Sequence, residues 1–536
     1  MAAIRKSDDG APATAAATST VTKATSTERA TAAKPKAAPR AKPDAGPTKT
    51  APARPAADAK PKAAAKAAPK RKPAATADAP SPAIVALPPP SSGGVDVNLV
   101  ADLIAWARDA GADAADAIVV EGTQLSIGQR LGKREKLERS EGRDLGLRAF
   151  VGKRQAFVST TDFTVAGLKA LARRAVDMAR VVPEDPWCGI AEPSQLAKKW
   201  PELDLDDGLE PTAELLLDWT ARAEAVAMAV EGVTNSEGAD AAWGRTRVAF
   251  AASNGFAGAY SRGGYSLSCS VLAGEGTGME RDYDWTSAVH QADLESPDAI
   301  GRSAGEGAVN RLNSKRPKSG RVPVVFDQRV SGGIVGHLAG AINGRSIARG
   351  TSFLKDSLGK AVFAAGISVI DDPHRRRGSG SMPFDAEGLA CHRRELIADG
   401  KLTTWVLDLA SARQLGLQST GNASRGTSGP PGPTTTNLYM APGKLSVKDL
   451  IGDIESGLYV TDLIGFGVNG VTGDYSRGAS GFWIEKGELA WAVNGLTIAG
   501  NLKDMFRELT PADDLVFKSD TNAPTLRIDG MTIAGE

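Results

Sequence analysis

Apolar residues show no usable period before about Val95, and from there they alternate between two periods. Leu99, Leu103, Ile104 and Trp106, set against Asp102 and Arg108, repeat at helical spacing and end at Gly111. Ala117–Glu121, Gln124–Arg130 and Leu145–Phe150 read as strands, and Gln155–Thr160 returns after Gly152-Lys153. Thr164–Arg180 restores the helical period through Leu168, Leu171, Ala172, Ala175 and Val176. Pro183 to Asp207 is irregular and reads as a connector. A second round follows. Thr212–Glu231 is a long helix that Thr212 can cap. Strands at Arg247–Ala252 and Phe256–Tyr260 flank the hairpin signal Asn254-Gly255, with further strands at Tyr265–Leu272 and Glu280–His290. A helix over Pro297–Arg311, capped by Ser296, completes it.

The basic link Asn313 to Lys318 separates this half from a different texture. One buried strand, Val322–Phe326, leads into a glycine-punctuated segment from Val330 to Ile342. There Ile334, Val335, Leu338, Ala341 and Ile342 share a helix face. Beyond it come short strands: Ser368–Asp371, Arg394–Ala398, Leu402–Leu407, Leu438–Met440, Gly481–Glu485 and Glu488–Val493. Asp399-Gly400 and Lys486-Gly487 mark hairpins. The pattern predicts an α+β chain in three parts. Residues 1–92 form a tail, 93–318 a helix-flanked antiparallel sheet with a possible sub-boundary near 185–210, and 319–536 a β-rich part curved or closed like a barrel.

Composition sharpens this division. The net charge of +1 hides a tail with sixteen Lys/Arg against six Asp/Glu over residues 1–90, so the body carries −9. The tail is Ala, Pro, Lys and Thr without one aromatic side chain, which predicts disorder. Charge alone could draw it to nucleic acid or an acidic surface, but no rings interleave for stacking. Cys188, Cys269 and Cys391 have no paired metal-ligand spacing and fit a reduced compartment. Neither a signal-peptide core nor a membrane-length apolar run is present, which predicts a cytoplasmic protein.

Three segments carry candidate chemistry. His337 is the only ionisable residue between Val330 and Ile342, and no second histidine lies within a helical turn to share a metal. The loop Ser419–Asn437, STGNASRGTSGPPGPTTTN, is long and rich in Gly and Pro. Its backbone could pair with an extended peptide, and Gly421, Asn422, Arg425 and Asn437 are its candidate cleft residues. In GDYSRGASGFW, Asp474 and Tyr475 stand beside Arg477, which could clamp a carboxylate or close a turn with Asp474. Gly301–Gly305 fits the nucleophile-elbow spacing but falls within a predicted helix, and no dinucleotide or phosphate-loop fingerprint occurs.

GHLAGA at 336–341, ARGTSFL at 348–354, PFDAEG at 383–388, STGNA at 419–423, GDYSRGASGFWIEKGEL at 473–489 and TIAGNL at 497–502 occur in this order. Together they resemble the TldD/PmbA family, a bacterial metalloprotease system of two subunits. The resemblance implies a catalytic subunit, TldD, whose matching helix carries His-Glu and, after three intervening residues, a second His. Those places are Gly336, His337 and Ala341 here, so the chain resembles the PmbA (TldE) side, with no metal of its own. The family implies zinc or iron in a TldD-type partner subunit. It also implies polypeptide substrates such as unfolded chains, antitoxins and leader peptides, with a homodimer possible in isolation. Two rival expectations remain: a regulator of the DNA-gyrase-modulator type acting through the tail, and an autonomous hydrolase.

Overall fold

The computed structural model describes residues 97–536 and the short strand 85–86, which pairs with Leu209–Glu210. The disordered tail expected over residues 1–92 otherwise lies outside the described residues. Helix α1 (Val97–Asp109) leads into an antiparallel sheet built from β1 (Ala114–Arg130), β2 (Lys133–Val151), β3 (Arg154–Thr160), β4 (Val233–Ala252), β5 (Ala257–Ala273) and β6 (Glu280–Ala288). Their order in the sheet is β3-β2-β1-β4-β5-β6. Helices α2 (Val165–Val181), α3 (Ala213–Met228) and α4 (Pro297–Asn310) join α1 against it.

Alternation along β1 and β4 explains the layering. Ala115, Ala117 and Val119 meet Ala249 and Ala251 beneath α1 and α2. Leu125 and Ile127 meet Ala239, Ala241 and Trp243 beneath α3 and α4. All these positions have the same parity, so the two helix pairs lie side by side on one face. Thr164, Thr212 and Ser296 cap α2, α3 and α4 with their hydroxyls.

The structure corrects several sequence expectations. The two strands expected at Ala117–Glu121 and Gln124–Arg130 are one, because Gly122 is not a turn but pairs with Gly142 and Thr246. The strand expected at Leu145–Phe150 begins at Lys133, so the charged run KREKLERSEGRD is also strand. Its turn, Leu131-Gly132, has φ of 49° and 72°. Leucine is disfavoured there. The Glu224 carboxylate of α3 offsets this by accepting the Leu131 N–H at 2.7 Å and the Gly132 N–H at 2.9 Å. By contrast Asp399-Gly400 and Lys486-Gly487 form the expected turns, each with both residues at positive φ.

In the second half β7 (Gly320–Phe326) precedes α5 (Gln328–Ala341). It pairs in parallel with β8 (Ser456–Val468) and antiparallel with β11 (Leu526–Ala534). Strands β9 (Asp474–Glu485) and β10 (Glu488–Asn501) continue from β8, and β10 returns to β11 through Thr497–Ala499. Five strands thus close into a barrel, as the even strand spacing predicts. Its core takes Ile334, Val335, Leu338 and Ala341 from the inner face of α5. A smaller five-stranded sheet containing 369–371, 394–398 and 438–440 lies alongside in sequence. Leu402–Leu407, expected as a strand, is strand only over 401–402. No helix among the described residues is long and apolar enough to cross a membrane.

Candidate functional site

Helix α5 starts where β7 ends, because Asp327 accepts the Arg329 N–H at 2.9 Å. Tyr459 Oη fixes the same carboxylate at 2.8 Å. The inner face is apolar and buried, whereas Gly333, Gly336 and Gly340 face outward. A Cβ on any of the three would meet nothing within 4 Å. This helix therefore presents bare backbone over more than a turn.

His337 lies between these faces with its ring edge-on to Tyr475, centroids 5.8 Å apart. Burial lowers its pKa, and the Arg477 charge lowers it further, which keeps the imidazole neutral near pH 7. Tyr475 is 2% exposed; burial pushes its pKa up to about 12, and its hydroxyl is buried without a hydrogen-bond partner. Arg477 donates to the Leu463 and Ile464 carbonyls and stands over the Phe466 ring. The expected Asp474–Arg477 turn does not form, because both residues lie within β9. Asp474 instead accepts from Thr472 Oγ1 and Asn501 Nδ2. Phe466, at the end of this hairpin, is 96% exposed beside exposed Ile464 and Val471.

The metal positions implied by the family do not fit a metal. Gly336 and Ala341 offer no donor atom, and Ala341 is packed in the core. Five residues on a regular helix place side chains about 140° apart, so 336 and 341 point in different directions. Ligands at those positions would need an extra residue in the turn, a π-bulge. Here α5 is regular to its end, where the Ile342 N–H bonds Leu338 O. Among the described residues, no three His, Cys, Asp or Glu side chains stand together as a possible metal site.

The loop Ser419–Asn437 is more ordered than its composition predicts. Ala423–Ser424 and Gly432–Pro433 form a short hairpin within it. Gly421 has φ of 72°, and a Cβ there would strike the Ala390 carbonyl. Asn422 is buried and donates to Asp371 at 2.7 Å; Asn437 donates to Asp372 O and Ser381 Oγ. The side chain of Arg425 runs into the interior and pairs with Asp116, which also pairs with Arg148. Thus the structure separates the cleft candidates. Asn422, Arg425 and Asn437 tie elements together, while His337, Tyr475 and Arg477 gather beside the open face of α5.

Sequence reasoning missed the centre of that tie. Asp116 is fully buried between two guanidiniums. Burial pushes its carboxyl up, but Arg148 and Arg425 outweigh this and hold it below the usual carboxylate range. Nearby, Asp385 and Glu387 of the PFDAEG block are both buried. Burial raises both carboxyls, with Asp385 adding to the rise at Glu387 and Asp408 to that at Asp385. The available signal was Arg148 in the middle of an otherwise apolar strand run.

Comparison with known proteins adds the following. Three family models match: PmbA/TldA metallopeptidase domain 1 over residues 115–179, central domain over 206–312, and C-terminal domain over 319–535. The chain is 36% identical to Metalloprotease PmbA of Escherichia coli O157:H7 over 426 residues, 79% of this chain and 93% of that protein. A Bacteroides thetaiotaomicron protein described as a modulator of DNA gyrase superposes with a TM-score of 0.76 at 26% identity, covering 83% of this chain and 100% of its own. TldE from Thermococcus kodakarensis shares the fold, with a TM-score of 0.74 at 20% identity over 82% and 100% of the two chains.

Proposed function

Because the chain belongs to the PmbA/TldD metallopeptidase family, we propose that it is the metal-free subunit of a cytoplasmic TldD/TldE-type pair. In this reading it closes over the zinc or iron of a TldD-type partner and helps to hold an extended or unfolded polypeptide there. The observation that carries the reading is α5: its outward face has glycine where a metal needs donors, and its turn geometry holds positions 336 and 341 apart. The bare backbone of Gly333, Gly336 and Gly340 and the exposed Phe466 hairpin supply a surface for the partner or the peptide.

Metal analysis and peptide cleavage on this chain alone, then with a TldD-type partner, test it. The expected result is no stoichiometric zinc or iron and no cleavage alone, and chelator-sensitive cleavage with the partner. Tight stoichiometric metal at His337 in the isolated chain overturns it, and so does chelator-resistant cleavage by the chain alone. A regulatory role on DNA topology is favoured by the basic stretch within residues 1–92 and by the description of the Bacteroides relative. Deleting residues 1–92 separates the two, since the subunit reading predicts that cleavage with the partner survives.

A further inference from the structure

A cavity of about 350 Å³ lies beside the Asp116 pairs, between the end of β2, the turn 185–189 and the helix Leu409–Leu415. Its lining has unmet hydrogen-bonding capacity of two kinds. Two lining residues carry acceptors. Glu387 is 4% exposed, and its Oε2 accepts the Leu409 N–H at 2.8 Å. Among the described residues no other hydrogen bond reaches that carboxylate. Gln155 donates to Asp185 at 2.9 Å, which leaves its Oε1 buried with no partner. Arg349, an exposed residue of the same lining, is a donor with no ion pair among the described residues. The other basic lining groups are engaged: Arg345 with Asp408 and Pro431 O, and the Nε and Nη2 of Arg148 with Asp116.

We propose that this cavity binds the free amino end of a short peptide, its ammonium against Glu387 and its carboxylate against Arg349. Protonated or not, Glu387 keeps acceptor capacity open on the cavity lining, and an ammonium brings three donors to it. The volume suits a dipeptide and lies at the small end of ligand sites. The charged groups near enough to act on Glu387 are Asp385, Asp408, Arg148 and Arg425. Burial first, and then the Asp385 charge, favour its protonated form. Insertion of an ammonium reverses that preference, so the Glu387 proton leaves to the buffer as the ligand enters. This site is distinct from the face of α5, and it does not depend on a catalytic partner.

Calorimetric titration of the intact chain, without a partner, with L-alanyl-L-alanine tests the assignment. The expected result is one site per chain. N-acetylation of the probe should weaken binding by about tenfold or more, because a charged donor is lost. Amidation of its carboxyl should weaken it about fivefold, and so should Arg349→Ala, an exposed change that leaves the fold intact. Heats measured near pH 7 should vary with the ionisation enthalpy of the buffer, and Glu387→Gln should remove that variation in protein that still unfolds cooperatively. No saturable binding at millimolar dipeptide overturns the proposal, as does equal affinity for the acetylated probe. Heats independent of buffer overturn it as well. Failure here leaves the subunit reading standing, since that reading concerns cleavage with a partner.

Discussion

On the outward face of α5, Gly333, Gly336 and Gly340 present backbone alone, whereas around Asp116 ionisable side chains from five segments are packed away from water. The first region is where the family resemblance places chemistry, and here its outward face carries no side chain, with His337, Tyr475 and Arg477 beside it. The second has the functional groups, yet most of them hold the chain together. The contrast teaches that density of charged residues is a poor guide to a reacting centre here. The open, nearly featureless face is available to another molecule, and the charged cluster is largely committed. The largest effect should therefore come from the committed side. Asp116→Ala leaves Arg148 and Arg425 buried with no carboxylate between them and should destabilise the fold by about 3–5 kcal/mol. Urea unfolding measures it, and a loss below about 1 kcal/mol would mean that the two guanidiniums find other partners or water.

The next effect is on pH dependence. Glu387 has a folded-state pKa above its unfolded value, so the native state holds its proton more tightly. That contribution is fully present below the ordinary glutamate range and is lost as pH rises through the folded value. In that window Glu387 alone lowers stability by up to about 1.4 kcal/mol per pH unit. Asp116 acts in the opposite sense, since its lowered pKa contributes stability that disappears only as pH falls through acid values. Unfolding midpoints followed from pH 5 to 9 should decline more steeply in the native chain than in Glu387→Gln. Parallel curves would show that Glu387 is not protonated by its surroundings.

These two regions were unequally legible in the sequence. The buried face of α5 follows from apolar spacing alone, and the want of further donors is visible residue by residue at Gly336 and Ala341, which leave His337 without a second ligand. Hairpins such as Asn254-Gly255 were equally local: Gly255 takes φ of 95° between β4 and β5. The Asp116 cluster was hidden because its partners are remote, 32 residues away at Arg148 and 309 at Arg425. Local patterns cannot report such pairs. The charged run from Lys133 was hidden for a related reason. It is a strand because β1 pairs with it and ion pairs such as Arg139–Glu210 and Arg143–Glu121 neutralise it, not because its own residues prefer to extend. The same holds for Leu131, whose strained turn depends on a carboxylate from α3.

Smaller effects sharpen the open side. Gly336→Ala and Gly340→Ala each add a methyl group into empty space on a helix. Each should stabilise the isolated chain by about 0.4–1 kcal/mol through reduced freedom of the unfolded chain. If the face is reserved for another molecule, the same changes should weaken association with a TldD-type partner, measured by pull-down or calorimetry. A destabilised isolated chain would mean that the face is already covered in solution.

The smallest expected change in stability lies at the tip of the hairpin beside that face. Phe466 is 96% exposed and touches the fold mainly through the Arg477 guanidinium above its ring. A surface contact of this kind is worth about 0.5–1 kcal/mol, and removal of an exposed apolar ring offsets part of it. Phe466→Ser should therefore move the unfolding free energy by no more than about 0.5 kcal/mol. An aromatic left this open on a chain whose other phenylalanines are all buried or half-buried is informative only if something else covers it. The same variant should then lower affinity for the catalytic partner well beyond its effect on folding. Unchanged affinity would place the contact elsewhere and leave the glycine face of α5 to carry it alone.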